Sequence, residues 1–209
     1  MKPQLGDTIL NRYTLVSSLR EEPGIQAWKA NDRVLAKDCQ LFIITDRSAF
    51  AAIDKLAGRI AATRPDRVIP ILKYRMESDV LLIVMPVDSG QCLTDYMVDT
   101  AKPLSYSAIR SIIGECADVL REVIADTPSG IVITTDTVRV TTSGVQIADA
   151  PCATMLADTS ATDLRTDGPE RYAIRQLAAL LYTLLTRTPS QATPTFNLHA
   201  LPQDTPGEF

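Results

Sequence analysis

The chain has 209 residues, 45% of them apolar, and a mean hydropathy of +0.04, which suits a water-facing protein large enough to bury a sizeable core. With 21 basic and 25 acidic residues its net charge is −4, so the molecule as a whole offers no electrostatic footprint for nucleic acid or an anionic membrane. No run reaches the ~18 apolar residues that span a bilayer, and nothing after Met1-Lys2-Pro3-Gln4 reads as a signal segment. The expectation is a cytoplasmic piece, with tethering to a membrane span elsewhere left open.

Tyr13–Arg20, Ile25–Asp32 and Asp38–Thr45 are short segments rich in Val, Ile, Leu and Trp, separated by Glu-Glu-Pro-Gly and a polar turn, and they predict an antiparallel meander. From Ser48 the period changes. Phe50, Ile53, Leu56 and Ile60 recur at helical spacing, predicting a helix capped by Ser48 and ended before Pro65. Val68–Arg75 and Val80–Met85 complete a predicted five-stranded sheet with one helix. After the hinge-like Pro86-Val87-Asp88-Ser89-Gly90 come a short helix near Leu93–Val98 and a long one from Ser105 to Asp126. The long helix carries Ile109, Ile112, Ile113, Cys116, Ala117, Leu120, Val123 and Ile124 as an apolar stripe.

Two β-branched segments, Thr137–Thr142 and Val145–Ala148, flank a Ser-Gly turn and predict a hairpin, with Asp149 at its end. Cys152–Asp167 is small, polar and aperiodic, and reads as a mobile loop. Asp167-Gly168-Pro169-Glu170 opens a last helix, with Asp167 as cap and Ile174, Leu177, Leu180, Leu181, Leu184 and Leu185 on its apolar face. The Pro-rich stretch 189–209 reads as an extended, poorly ordered tail. Cys39, Cys92, Cys116 and Cys152 stand far apart without a Cys-x-x-Cys pair, so they are expected as buried free thiols in a reducing cytosol.

That order of elements, together with Asn11-Arg12-Tyr13-Thr14-Leu15, Trp28-Lys29-Ala30-Asn31-Asp32 and Leu181-Tyr182-Thr183-Leu184-Leu185-Thr186-Arg187, resembles the eukaryotic-like Ser/Thr protein kinases of bacteria. It looks nearest to the kinase-homology domain attached to actinobacterial MviN/MurJ-type proteins, itself a pseudokinase. The resemblance runs diffusely over residues 8–190. It implies an α+β, two-lobed, protein-kinase-like fold: an N-lobe over 1–86, a mainly helical C-lobe over 87–188 truncated after its central helix, and a tail over 189–209.

Along that resemblance the phosphotransfer groups are replaced. A kinase covers nucleotide phosphates with a Gly-x-Gly-x-x-Gly loop. The matching run, Leu19-Arg20-Glu21-Glu22-Pro23-Gly24-Ile25-Gln26-Ala27, keeps one Gly and adds two acids. Phe42 stands where the third strand carries its phosphate-binding Lys, and counting back from Pro65 puts Lys55 at the place of the helix Glu that pairs with it. The catalytic loop maps onto Ile133-Thr134-Thr135 and Thr137, so Thr135 replaces the carboxylate base and Thr137 a metal ligand. Asp149 alone is kept, where the magnesium-binding Asp would be, and one carboxylate holds magnesium weakly. No catalytic residue, no nucleotide and no metal are expected, with Asp149 the one vestigial candidate. Asp149 has two readings, a remnant metal ligand or a polar strand end.

Trp28 reads as lobe core or as a partner anchor. His199, the single histidine, lies in the tail, away from any Ser, Cys or Asp partner set. Thr154, Thr159, Thr162 and Thr166 sit where kinases have their activation segment. There the loop reads either as plain solvated chain or as phosphorylation sites. In the flippase-linked group the resemblance implies phosphorylation by an active Ser/Thr kinase and capture by a forkhead-associated (FHA) domain. The expectation is thus a non-catalytic signalling scaffold linked to cell-envelope synthesis, set against an atypical ATP-binding Ser/Thr kinase with residual activity.

Overall fold

The computed structural model describes residues 3–77, 79–98, 103–126, 131–156, 168–188 and 196–207. It is a mixed α+β protein of two compact units, Met1–Arg64 with Ile69–Asp88, and Pro65–Val68 with Ser89–Phe209.

The first unit is built on β1 (Thr8–Ile9), β2 (Tyr13–Glu22), β3 (Ile25–Asp32), β4 (Lys37–Ile44), β5 (Lys73–Met76) and β6 (Leu81–Pro86), with α1 (Arg47–Thr63) between β4 and β5. The strands form one antiparallel sheet in the order β1-β2-β3-β4-β6-β5. Six strands replace the predicted five, because β1 is only two residues long and carries no periodic signal. The expected strand over 68–75 shrinks to β5, and Val68 instead makes an isolated parallel bridge to Ile147 in the second unit's set of residues.

Alternation sorts the strand side chains into two faces. One buries Tyr13, Leu15, Trp28, Ala30, Cys39, Leu41, Ile43, Leu82 and Val84 as a single cluster, so Trp28 is core. On the other, the row Ala27, Phe42, Ile83 and Tyr74 runs across four strands. A Cβ built on Gly58 of α1 would lie 3.5 Å from the Tyr74 hydroxyl, so α1 covers this second face. It buries Phe50, Ile53, Leu56, Ala57 and Ile60 there.

Asp46 caps α1, not Ser48. Its carboxylate accepts from the Ser48 amide at 2.9 Å and hydroxyl at 2.6 Å, which makes Ser48 the partner of the cap. Arg64 ends the helix in a left-handed cap conformation, its amide donating to the Ile60 carbonyl at 2.9 Å, and the following Pro65 disfavours any continuation of the helix. At the end of the sheet Arg12 clamps Asp32 with two hydrogen bonds of 2.8 and 2.6 Å. Asp32 is 5% exposed, and its carboxyl is held down at about 2, chiefly by that guanidinium.

In the second unit β7 (Gln91–Cys92), β8 (Val138–Thr141) and β9 (Gly144–Ile147) form a three-stranded antiparallel sheet, joined by α2 (Leu93–Val98), α3 (Tyr106–Asp126), α4 (Ala153–Leu156) and α5 (Pro169–Thr186). Ser105 caps α3 through its hydroxyl and the Ala108 amide, at 3.2 Å. α3 packs along α5, burying Ile109, Ile112, Cys116, Leu120 and Val123 on one side and Leu180, Leu184 and Leu185 on the other.

Four expectations are corrected in this unit. The hairpin loop is Thr142-Ser143, with Gly144 already in β9. Gly168 rather than a side chain stands at the α5 cap position, and Asp167 lies outside the described residues. Of the segment read as a mobile loop, 153–156 is a helical turn and 157–167 lies outside the described residues. Finally, 196–207 does not trail away as an extended tail. The Phe196 ring meets Tyr182 of α5 at 5.3 Å between centroids, the Tyr182 hydroxyl donates to the Asn197 carbonyl at 3.3 Å, and Asn197 caps a 3-10 turn over Leu198–Ala200.

Candidate functional site

Each unit holds part of the constellation read from the sequence. In the first, the β2–β3 turn at Glu21-Glu22-Pro23-Gly24 is tied to the end of β4, because the Gly24 carbonyl accepts from the Thr45 amide at 2.8 Å and the Asp46 amide at 3.2 Å. Gly24 has φ +80, and a Cβ there would lie 2.6 Å from the Asp46 Cβ, so only glycine fits. The turn borders an open surface hollow of about 660 Å³ lined by Pro3, Glu21, Glu22, Ile43 and Thr45. Two carboxylates and a proline make it a poor cradle for phosphate, which needs backbone N–H groups and positive charge.

Phe42 is 1% exposed, on the β4 face that α1 covers. Gln40, two residues before it on the same face, donates from Nε2 to Asp88, which satisfies the only buried polar side chain of β4. Lys55 is exposed on α1, while Leu56 is buried. The helix position next to Lys55 that is turned inward is therefore apolar. No carboxylate stands among the buried residues of α1 to hold a cation from β4.

In the second unit, residues 131–137 are immobilised by hydrogen bonds. Gln176 of α5, 9% exposed, accepts from the Ile133 amide at 2.6 Å and donates to the Ile131 carbonyl at 3.1 Å, pairing with this extended backbone as a neighbouring strand would. The buried residues of α5 are Tyr172, Ala173, Gln176, Leu180, Thr183, Leu184 and Leu185, and Ile174, expected inside, is 65% exposed. A polar residue on a helix gives no hint of this in the sequence, because the backbone it serves lies 43 positions away.

Thr135 is half-buried, its carbonyl accepting from the Thr94 amide at 3.2 Å. Thr137 is 4% exposed, and its hydroxyl accepts from the Thr134 amide at 2.9 Å and faces the Val132 carbonyl at 3.0 Å. That hydroxyl closes a turn, and a neutral hydroxyl so bound has neither the basicity nor the freedom to accept a substrate proton. Asp149 follows β9 at φ 56 in the left-handed region, and its carbonyl accepts from the Cys152 amide at 2.7 Å, so it opens the turn into α4. Among the described residues no group of three His, Cys, Asp or Glu side chains lies close enough to share a metal ion.

The sequence also gave no sign of an ion-paired knot at the hairpin. Glu115 of α3 pairs with Arg67 and accepts from the Val145 amide at 2.8 Å, while the Arg67 carbonyl accepts from the Ile147 amide at 2.7 Å. Gly144 has φ +119, a conformation that side-chain-bearing residues rarely adopt, which is why glycine opens β9 beside the Glu115 carboxylate.

Of the Thr candidates, Thr154 lies on α4, and Thr159, Thr162 and Thr166 fall outside the described residues. Cys39, Cys116 and Cys152 are buried free thiols, the first two pushed up to about 11 and about 12 by burial, the third raised for the same reason. Cys92, expected buried, is half-buried, with Arg139 donating toward its sulfur at 3.4 Å. His199 is exposed in the 3-10 turn. No protein-family model matches the chain, and no curated protein matches its sequence.

Proposed function

We propose that the chain is a catalytically inactive homologue of the Ser/Thr protein kinases, of two-lobed kinase-like fold ended after α5, that works as a cytoplasmic signalling scaffold around bacterial cell-envelope synthesis. The element order supports this reading: a sheet with one inserted helix, a connecting segment, a long helix, a hairpin and a second long helix. The observation that carries the inactivity is Phe42. Where a phosphotransfer site needs a cation on the third long strand, the chain has an aromatic ring sealed in an apolar interior. The committed Thr137 hydroxyl and the acidic β2–β3 turn point the same way.

The scaffold reading includes control by phosphorylation on Thr154, Thr159, Thr162 or Thr166 by an active Ser/Thr kinase, and capture by an Arg-bearing FHA-domain protein. Incubation with such a kinase followed by mass spectrometry tests that part, which fails if none of the four threonines is modified. The test of inactivity is a thermal shift with Mg-ATP, for which a flat response is expected. A rise of several degrees that Asp149→Ala abolishes would instead favour an atypical ATP-binding kinase.

A further inference from the structure

We propose that the tip of the β3–β4 hairpin is a docking surface for an anionic lipid bilayer. Residues 33–38 are all exposed, and at the centre of this projecting turn stand two aliphatic side chains, Val34 at 71% and Leu35 at 58% exposure. Such side chains are ordinarily withdrawn from water or scattered singly. Here they are adjacent and flanked by Arg33 and Lys37, whose side chains make no hydrogen bond or ion pair among the described residues, while the Arg33 amide donates to the Arg12 carbonyl at 3.0 Å.

The tip is held in shape before any partner arrives. Asp32, clamped by Arg12, accepts from the Val34 amide at 3.0 Å and the Leu35 amide at 3.3 Å, and Ala36 closes the turn at φ 51. That arrangement also sets the local charge. Over Lys29–Asp38 with Arg12 there are four cations against two carboxylates, and both carboxylates are spoken for, Asp32 by Arg12 and Asp38 by Lys29 at 2.8 Å. A chain of net charge −4 therefore presents an uncompensated positive end with an apolar point.

This distribution matches a bilayer interface, in which acyl chains receive the aliphatic pair while anionic headgroups receive the cations around it. A protein pocket would fit the apolar pair but would need its own acids placed at both flanks. A bilayer supplies them in every orientation. The negative remainder of the chain is repelled by the same surface, which orients the approach to this end.

The test uses the whole chain and sedimentation with vesicles of phosphatidylcholine, with and without about 30% phosphatidylglycerol. Two cations near the surface predict about thirtyfold stronger partitioning onto the anionic vesicles, falling as salt is raised. Val34→Ser with Leu35→Ser should lower it about tenfold or more through lost apolar contact, and Arg33→Glu with Lys37→Glu should abolish the preference for phosphatidylglycerol. Because these side chains are exposed, all variants should melt with the parent chain. Equal binding to both vesicle types, no binding to either, or binding that neither double variant alters would overturn the proposal. So would self-association that disappears with the Val34 and Leu35 substitutions, since it would make the tip a protein contact.

Discussion

Replacing Gln176 by Leu should destabilise the chain out of proportion to the change in size. The side-chain amide serves two backbone groups, the Ile133 N–H at 2.6 Å and the Ile131 carbonyl at 3.1 Å, on residues that are 2% and 0% exposed. Leu fills much the same volume and leaves both groups without a partner where water does not reach. Each orphaned group costs about 1–3 kcal/mol. The added apolar side chain returns about 1–2 kcal/mol, for a net loss of about 1–4 kcal/mol, a sizeable part of a typical domain's stability.

Gln176→Glu separates hydrogen bonding from shape. It keeps the acceptor for Ile133 but turns a carboxylate on the Ile131 carbonyl. Burial next to that oxygen raises the folded-state pKa, so the penalty is full above that value and fades as the pH falls and the protonated acid regains a donor. Urea unfolding followed by circular dichroism at two pH values, with amide exchange of Ile133, reads both effects. A Leu variant within about 0.5 kcal/mol of the parent, the ordinary range for surface changes, with unchanged exchange at Ile133, would refute the reasoning.

Phe42→Ala should cost about 3–5 kcal/mol by cavity formation, and Phe42→Lys should cost at least as much without creating a nucleotide site, because the buried face of α1 offers no carboxylate; an undiminished melting temperature together with Mg-ATP binding in the Lys variant would contradict this. Acid unfolding should report on Asp32. Its folded-state pKa of about 2 lies below the ordinary 3.8, so the pair's contribution is complete above that ordinary value and is lost as pH falls toward 2. With Arg12 29% exposed and partly screened, the amount is about 1–2 kcal/mol, and Asp32→Asn should flatten that limb of the stability curve. An unchanged acid limb in Asp32→Asn would show that the clamp contributes nothing.

The long elements were legible because one periodicity dominated each. Ile25–Asp32 and Leu93–Val98 match their predicted bounds, and α3 starts one residue late. The faces were less legible where a polar group serves the interior. Gln176 displaced Ile174 from the buried side of α5 because satisfying the backbone at 131–133 outweighed burying one more aliphatic residue. Asp46 took the cap from Ser48 because the helix starts at Arg47, which leaves Ser48 in the first turn with its own amide as one of the free donors that the Asp46 carboxylate accepts. The return of 196–207 onto α5 rests on a Phe–Tyr contact, and proline content alone suggested the opposite. Of the candidate site, Phe42 and Thr137 could be singled out from the sequence. What they do instead, packing an interior and closing a turn, depends on partners far along the chain.

Asp46 both starts α1 and forms the floor under Gly24. Introducing further glycines and a lysine one residue at a time would therefore not create a flexible phosphate loop here. Freeing the turn means lifting it off the residue that begins the neighbouring helix, so a mobile turn would require redesigning two elements at once.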